Sequence, residues 1–338
     1  DNNPEPLQTP ELVPHGTLVA GCASAVTNNG SGVAGAGYHT RLILTKCSPD
    51  SSGSELYEVY DAMRYAVDRG ARILNLSWGA TESELAPGEV EAMQEAINYA
   101  RSKNVLVVAA AGNNGEYLGR FPFYPAILPG LMSVGASNAS NAAAGFSNYG
   151  TGVTLFAPGQ AILSTSNGNG YRVDNGTSFA APIASGAAAL VMALHPDWTP
   201  DQVMMQLRVT GDTLHNTHPY TYRRLNMRRA LEVNRDLTAA TGTLPGIALS
   251  SYSVNQKSTD TIHGTNYIVR VQLSLTNWLA PGKDITIAPW SGSMIMADPV
   301  TIPSIGTKER QNVELLARLN PDKILFSEGQ ALLILELT

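Results

Sequence analysis

Charged residues are scarce in this chain: only 15% of its 338 residues are Asp, Glu, Lys or Arg, and the formal net charge is -6. Because no excess of basic residues is present, we expect neither nucleic acid nor a membrane surface as a partner. The longest apolar stretch, Ala184 to Leu194, is interrupted by Ser185 and Gly186. It is shorter than the roughly 20 residues that a membrane-spanning helix needs, so we expect a soluble protein.

Cysteine is also scarce, since the chain has only Cys22 and Cys47. Two cysteines cannot build a disulfide framework, and their spacing is not that of a zinc site, so no metal site is expected there. They can form one bridge in an oxidising compartment or remain two separate buried thiols. The sequence favours the separate thiols and leaves the bridge open.

Helical and extended patterns alternate over the first two thirds of the chain. Gly70 stops the first helical pattern, and the apolar run Val105–Ala109 suits a strand that is buried on both faces. This alternation predicts an α/β domain with a mostly parallel sheet, whose ligands gather at the carboxyl ends of the strands. The predicted helices cover 54–69 and 90–100, and the predicted strands cover 72–76, 105–109, 131–134 and 153–156.

After about Arg235 the pattern changes to alternation with a period of two. Apolar residues alternate with polar ones over Val269–Leu275 and again over Val313–Leu319, and Ala331–Leu337 reads as a final strand. This pattern predicts a small antiparallel β domain of the sandwich type. We therefore expect one domain over residues 1–238 and a β-rich domain over 247–338, joined through the stretch 242–246.

Three short segments contain the residue types that acyl transfer needs. They are the sequences PHGT at 14–17, AGNNG at 111–115 and GTSFAAP at 176–182. Serine is a weak nucleophile at its own pKa, so Ser178 needs a base such as His15 to take its proton. A helix that begins at Ser178 would aim its amide at a developing oxyanion, and Asn113, placed just after a buried strand, could supply a second donor.

These segments resemble the His-Gly-Thr, Ala-Ala-Gly-Asn and Gly-Thr-Ser-x-Ala-x-Pro blocks of the subtilisin-like serine peptidases, and they occur in the same order. The resemblance covers roughly residues 1–231. It implies a subtilisin-like three-layer α/β sandwich with a mostly parallel sheet, in a secreted serine endopeptidase that needs no cofactor for its chemistry. It also implies that His15 is the base, Ser178 the nucleophile and Asn113 the oxyanion donor.

The resemblance further implies which segments meet a polypeptide substrate. One segment would pair with the extended substrate and the other would line a specificity pocket, with backbone pairing giving affinity without much selectivity. The implied substrate-binding residues are Ser77, Trp78, Gly79, Ala110, Ala111 and Gly112. Some relatives hold structural calcium at a loop like 28–30, although a polar turn there needs no metal.

The sequence departs from the family pattern in one place, because the Asp-Ser/Thr-Gly turn that carries the family's aspartate upstream of the histidine is missing. Asp1 lies only 14 residues before His15 (15 minus 1), in a segment that resembles a later loop. The missing turn would belong to a central strand of the sheet. We therefore expect an N-terminal fragment of the same precursor to stay docked and to supply the aspartate.

Three functions compete at this point. The leading one is an endopeptidase that works through an acyl-enzyme and prefers an apolar side chain on the residue that donates the scissile carbonyl. The second is an inactive relative that binds peptides without cutting them, which the missing aspartate favours and the intact Ser178, His15 and Asn113 oppose. The third, a ligase in which an amine replaces water, has no support in the sequence.

Overall fold

The computed structural model describes residues 14–48, 55–215, 221–234, 237, 243–260, 266–289, 295–297, 299–319 and 335–337. The chain divides into two units, Asp1–Leu231 and Glu232–Thr338. Residue 242 of the predicted linker 242–246 lies outside the described residues. The predicted domain limits of 238 and 247 stay predictions.

Helices and short strands alternate through the first unit. The helices are α1 (His15–Ser24), α2 (Val59–Asp68), α3 (Glu89–Ser102), α4 (Thr177–Leu194), α5 (Pro200–Val209) and α6 (Met227–Glu232). The strands are β1 (Ile73–Leu76), β2 (Ala80–Thr81), β3 (Leu106–Ala110), β4 (Phe123–Tyr124), β5 (Met132–Ser137), β6 (Leu155–Pro158), β7 (Ile162–Ser166), β8 (Gly170–Asp174), β9 (Asp212–Thr213) and β10 (Arg223–Arg224).

A six-stranded sheet in the order β1-β3-β5-β6-β10-β9 is the centre of this unit, and only its last pair, β9 and β10, is antiparallel. Every residue of β3 is apolar and buried, because helices cover both faces of the strand. Helices α2 and α3 pack on one face, and α4 contacts β1, β3, β5 and β6. The α/β prediction with a mostly parallel sheet is confirmed.

Helix α4 is rich in alanine and contains no charged residue. By its length and composition alone, this 18-residue helix could cross a membrane. The helix is longer than the apolar stretch Ala184 to Leu194 noted in the sequence. However, 67% of its residues are buried inside the protein. Such burial is typical of a core helix, and it fixes the position of the helix start, where Ser178 lies.

The predicted elements differ from the observed ones mainly at their ends. Helix α2 begins at Val59 and not near residue 54 as predicted, because Glu58 adopts a left-handed conformation with φ of 51° that interrupts a helix. It ends before Gly70, whose φ of +89° favours glycine, as predicted. Strand 105–109 is observed at Leu106–Ala110, a shift of one residue.

All described strand pairs of the second unit are antiparallel. The strands are β11 (Ile247–Asp260), β12 (Asn266–Asn277), β13 (Gly282–Pro289), β14 (Ile295–Ala297), β15 (Val300–Ile305), β16 (Arg310–Leu319) and β17 (Leu335–Leu337). They form two sheets, β11-β12-β16-β14 and β15-β13-β17. Buried residues from both sheets, such as Leu273, Leu315 and Ile287, make one core, which is the arrangement of a β-sandwich. Residues 331–334 of the predicted final strand lie outside the described residues.

The two cysteines are separate thiols in the structure. Burial raises the pKa of both the Cys22 and the Cys47 thiol above the ordinary value. Both are therefore protonated at physiological pH, and a protonated thiol is a poor nucleophile. This matches the reading that the sequence favoured.

Replacement of Gly186 in α4 by alanine tests how tightly this helix is packed. A methyl group at Gly186 would lie 2.5 Å from the amide nitrogen of Gly37 and 2.7 Å from the Cβ of Ala36, so the backbone has to move. We expect Gly186→Ala to lower the free energy of unfolding of the first unit by about 1–3 kcal/mol. The measurement is urea unfolding followed by circular dichroism at 222 nm, since the described helices belong almost entirely to the first unit.

The matched control is Gly145→Ala, because a methyl group at exposed Gly145 would meet nothing within 4 Å. It should change the free energy of unfolding by no more than about 0.5 kcal/mol. Equal stability of the two variants would contradict the close approach of α4 to the turn at residues 36–37.

Candidate active site

Ser178 is the second residue of α4, and its carbonyl accepts a hydrogen bond from a residue outside the helix. The fourth residue after it is Pro182, which has no amide hydrogen to donate, so the Ser178 carbonyl has no helical partner. The Ser77 hydroxyl donates to this carbonyl over 2.7 Å, and the Ser178 hydroxyl donates to the Ser77 carbonyl over 3.2 Å. The two serines thereby tie the start of α4 to the segment that follows β1.

A short polar chain continues from Ser77 into the core. The Asn75 side-chain amide on β1 donates to the Ser77 hydroxyl over 2.9 Å. Its oxygen accepts a hydrogen bond of 3.0 Å from Ser185, which lies two turns further along α4. Because Asn75 bonds to both partners, the chain fixes Ser77 against Ser178 from the inner side of the site.

Asn113 follows β3 and is held by Thr177, the first residue of α4. Its side-chain oxygen accepts hydrogen bonds from the Thr177 amide at 2.8 Å and the Thr177 hydroxyl at 2.9 Å. The Asn113 amide nitrogen Nδ2 is thereby directed to the other side. A methyl group on Gly176 would lie 3.5 Å from the Ser178 amide nitrogen and 3.6 Å from Asn113 Nδ2. Two donors of separate segments therefore approach one small space.

His15 is the first residue of α1, which packs against α4. Its ring centroid lies 5.9 Å from that of Phe179, the residue next to Ser178. The described residues show the Ser178 hydroxyl bonded to Ser77 and not to the His15 imidazole. Catalytic hydrogen bonds in unliganded enzymes are often long and tighten when the substrate binds. The lack of a Ser178–His15 hydrogen bond in this structure is therefore compatible with proton transfer between them.

Two opposing effects act on the His15 imidazole. His15 is exposed at the surface. The surrounding protein still removes part of the water around the ring, which lowers its pKa, and the negative charge of Asp174 opposes this by favouring the imidazolium. Burial has the larger effect, so the net pKa is below the ordinary value and the ring is neutral at pH 7. A neutral imidazole is the form that accepts a proton from serine.

Comparison with known proteins identifies the first unit. A model of the subtilase family matches residues 2–235. The chain belongs to the subtilase family.

Several relatives of known name are similar to this subtilase. A thermophilic serine proteinase from Bacillus sp. (strain AK1) is 37% identical over 232 residues, which are 68% of this chain and 54% of the relative. Subtilisin Savinase from Lederbergia lenta is 37% identical over 206 residues, which are 61% of this chain and 73% of the relative. The chain spans about half the length of several curated relatives that it matches.

Solved structures show the same fold. A protease from Pseudoalteromonas arctica PAMC 21717 superposes with a TM-score of 0.56 at 31% identity, covering 64% of this chain and 70% of the other. The epidermin leader peptide processing protease of Staphylococcus aureus gives a TM-score of 0.56 at 26% identity, covering 65% and 63%. The subtilisin-like sandwich expected from the sequence is therefore confirmed for the subtilase unit.

The residues predicted to bind substrate in this subtilase differ in exposure and in hydrogen bonding. Gly79 is exposed at the surface, while Trp78 is half-buried and packs on the core shared by α2 and α3. Ala110 and Ala111 are buried and their backbones are engaged, Ala111 donating to the Val134 carbonyl. The remaining two, Ser77 and Gly112, bond to α4 through the Ser178 carbonyl and the Thr177 hydroxyl. Their roles in substrate binding stay predictions.

Two positioning residues were not found from the sequence. Thr177 could have been found from its place before Ser178, since a hydroxyl at a helix start often bonds a neighbouring loop. Asn75 could have been found as the one polar residue in the apolar strand Ile73–Leu76. Both act through contacts between distant segments, which the sequence alone does not pair.

The loop 28–30, where the resemblance suggested calcium, is a turn held by its own hydrogen bond. The Asn29 side-chain oxygen accepts a hydrogen bond of 3.1 Å from the Ser31 amide, and Asn28 and Gly30 have positive φ. Within the described residues, no group of three or more His, Cys, Asp or Glu side chains could hold a metal. Calcium binding there stays a prediction.

Replacement of Asp174 by asparagine tests the electrostatic origin of the His15 pKa. The Asp174 carboxylate favours the imidazolium, so its neutralisation should lower the pKa of His15 further. The measurement is an NMR titration of the His15 imidazole, assigned with a His15→Gln variant. Asp61→Asn, which removes a charge on the surface of α2, should leave this pKa in place. An unchanged or higher pKa in Asp174→Asn would contradict the assignment.

Proposed function

We propose that this chain is the main part of a serine endopeptidase that cleaves extended polypeptides through an acyl-enzyme. The approach of Asn113 Nδ2 and the Ser178 amide to one space beside Gly176 carries the proposal. Two donors aimed at one point, next to a hydroxyl and an imidazole, suit the negative oxygen of a tetrahedral intermediate. The names of the similar proteinases support the same reaction class.

The reaction follows from these positions. The Ser178 Oγ forms a bond to the scissile carbonyl carbon while His15 takes the hydroxyl proton, and the carbonyl oxygen becomes an oxyanion held by Asn113 and the Ser178 amide. The carbon–nitrogen bond then breaks, and His15 returns the proton to the leaving amine. Water repeats the sequence on the acyl-enzyme: His15 accepts its proton, the carbon–oxygen bond to Ser178 breaks, and the serine regains the proton.

His15 needs a carboxylate to hold its tautomer and to stabilise the imidazolium that forms. Within the described residues no hydrogen bond joins a carboxylate to its ring, and Asp174 acts on it only through its charge. The Asp174 carboxylate is engaged locally, accepting from the Asn175 amide at 2.8 Å and lying 3.9 Å from Arg172. The carboxylate that completes the site is therefore proposed to come from another segment.

The described chain offers a place for such a segment. Strand β1 ends the sheet and pairs only with β3 among the described strands, although Leu74 and Leu76 on it are buried. A buried edge strand carries unpaired backbone groups that another strand can satisfy. Apolar side chains are exposed over residues 42–44, and Leu42 borders a cleft of about 400 Å³ beside α1.

We assign this place to an extended strand from the same precursor that carries an aspartate. Its apolar side chains would cover the exposed leucines, its backbone would pair with β1, and its carboxylate would lie beside His15 at the start of α1. A negative side chain suits a base that becomes positive during the reaction. Secretion of the precursor is part of the same proposal, supported by the family resemblance.

A second candidate function is peptide binding without cleavage. The lack of a carboxylate hydrogen-bonded to His15 within the described residues favours it. The paired donors at Asn113 and Ser178 oppose it, because capture of an extended peptide requires backbone pairing and not an oxyanion site. Cleavage assays separate the two functions, since a binder would retain a peptide intact.

Replacement of Asn113 by alanine tests the oxyanion assignment. Loss of this type of donor, measured in a subtilisin itself, lowers kcat about 10²–10³-fold, and we carry that figure over to this chain. Asn113→Ala should therefore lower kcat by a similar factor with little change in KM for an extended peptide substrate. Asn114→Ala is the matched control, because Asn114 is the adjacent exposed residue of the same type and should retain kcat within about threefold. Equal kcat in both variants would contradict the assignment.

A search for the docked strand tests the proposed partner. We expect protein purified without denaturation to yield, after denaturation, a second polypeptide that contains an apolar stretch with an aspartate, detected by intact mass and peptide sequencing. The chain refolded without this polypeptide should lose peptidase activity, and adding the polypeptide back should restore it. A fully active preparation whose intact mass shows the 338-residue chain alone would overturn the proposal.

A further inference from the structure

Strand β7 meets helix α1 close to His15. The strand pairs with β8 along one of its edges. Ser164 and Thr165 are consecutive in β7, so their side chains leave the strand in opposite directions. Both hydroxyls nevertheless reach α1, so the strand meets the helix with its other edge and not with one of its faces.

Two hydrogen bonds to helix carbonyls make this contact. The Ser164 hydroxyl donates to the Leu18 carbonyl over 2.6 Å, and the Thr165 hydroxyl donates to the Thr17 carbonyl over 2.9 Å. Each carbonyl oxygen can accept two hydrogen bonds, so these bonds add to those inside the helix. Both carbonyls belong to the first turn of α1, the turn that begins with His15.

Gly21 of α1 makes the close approach possible. A methyl group on Gly21 would overlap the hydroxyl oxygens of Ser164 and Thr165 and would lie 3.0 Å from the Thr165 amide nitrogen. Because glycine has no side chain, the strand comes within hydrogen-bonding distance of the helix backbone. The approach of β7 to α1 is therefore built into both elements.

Helix α1 depends on such lateral contacts, because its start has no side-chain cap. Pro14 precedes it and offers no side-chain acceptor for the first amides. A small core joins the helix to two other elements through Leu18, Phe179 of α4 and Ile162 of β7. Apolar contacts are not directional, so they leave the helix free to slide or turn, whereas the two hydroxyl bonds define one position.

We propose that the hydroxyls of Ser164 and Thr165 position His15 for proton transfer by holding the first turn of α1 against β7. The proposal rests on the proposed function above and adds two positioning residues to it. Ser178 lies on a different helix, so the distance between base and nucleophile depends on where α1 is held. A misplacement of about 1 Å at such a distance can lower the rate about 10²-fold.

The carboxylate whose charge acts on His15 belongs to the same hairpin. Asp174 is the last residue of β8 and pairs with Ile162, the first residue of β7. The bonds from β7 to α1 therefore also hold this charge at a set distance from the imidazole. One hairpin thus supports both the position of the proposed base and the charge beside it.

Removal of single hydroxyls tests the proposal. Thr165→Val retains the shape of the side chain without the hydroxyl, and we expect it to lower kcat for an extended peptide about tenfold or more, with KM nearly unchanged. Ser164→Ala should lower kcat in the same way. Thr165→Ser, which keeps a hydroxyl, should retain most of kcat.

Ser166→Ala is the matched control. Ser166 ends the same strand, and its hydroxyl forms no hydrogen bond to α1 in the part of the chain that the structure describes. The variant should keep kcat within about threefold. Unchanged kcat in both Thr165→Val and Ser164→Ala would overturn the proposal.

Repeating Thr165→Val in His15→Ala protein separates placement of the base from general damage. Without the imidazole there is no base to position, so the second substitution should leave the residual hydrolysis unchanged. An equal loss of kcat in both backgrounds would show that Thr165 supports the whole site and not His15, which contradicts the proposal.

A measurement without turnover keeps the proposal separate from the peptidase assignment. The nuclear Overhauser effect between the rings of His15 and Phe179, whose centroids lie 5.9 Å apart, should weaken in Thr165→Val and persist in Thr165→Ser and Ser166→Ala. Weakening in a protein that hydrolyses no peptide would refute the peptidase proposal and uphold the placement of His15 by β7. An unchanged effect in both Thr165→Val and Ser164→Ala, with circular dichroism showing folded variants, would refute that placement.

Discussion

The carbonyl of Ser178 has no partner within its helix, and the rest of the site depends on how that is resolved. Pro182 removes the amide that would bind this carbonyl, and the Ser77 hydroxyl takes its place. A bond that would otherwise stay inside α4 therefore joins the helix to the end of β1. Thr177, one residue earlier, bonds Asn113 after β3. The first turn of one buried helix thus holds the two loops that follow neighbouring strands.

The sequence predicted the elements well where local pattern decides them, and less well where contacts between distant segments decide. Strand β3 and the end of α2 at Asp68 followed directly from apolar runs and from Gly70. The start of α2 did not, because the left-handed Glu58 has no sequence signature that distinguishes it from helix. The positioning contacts of Thr177 and Asn75 were missed because their hydrogen bonds join α4 to segments that lie far from it in the chain.

The site can be divided into parts that the described chain completes and a part that it leaves open. The proposed nucleophile, base and oxyanion donors lie on α4, α1 and the loop after β3, where hydrogen bonds or packing contacts hold them. The carboxylate proposed for His15 is the open part, and the edge of β1 that pairs with no described strand lies in the same unit. The same first turn of α4 positions Ser178 and, through Ser77, the segment that follows β1.

The central claim is that Ser178 is an activated nucleophile, and labelling with a fluorophosphonate tests it most directly. The reagent forms a bond to a serine oxygen only when a neighbouring base and oxyanion donors activate it. Peptide mapping of the native protein should locate one stoichiometric modification at Ser178, absent after heat denaturation and absent in His15→Ala. A native, folded protein with its full complement of polypeptides that shows no modification at Ser178 would contradict the account.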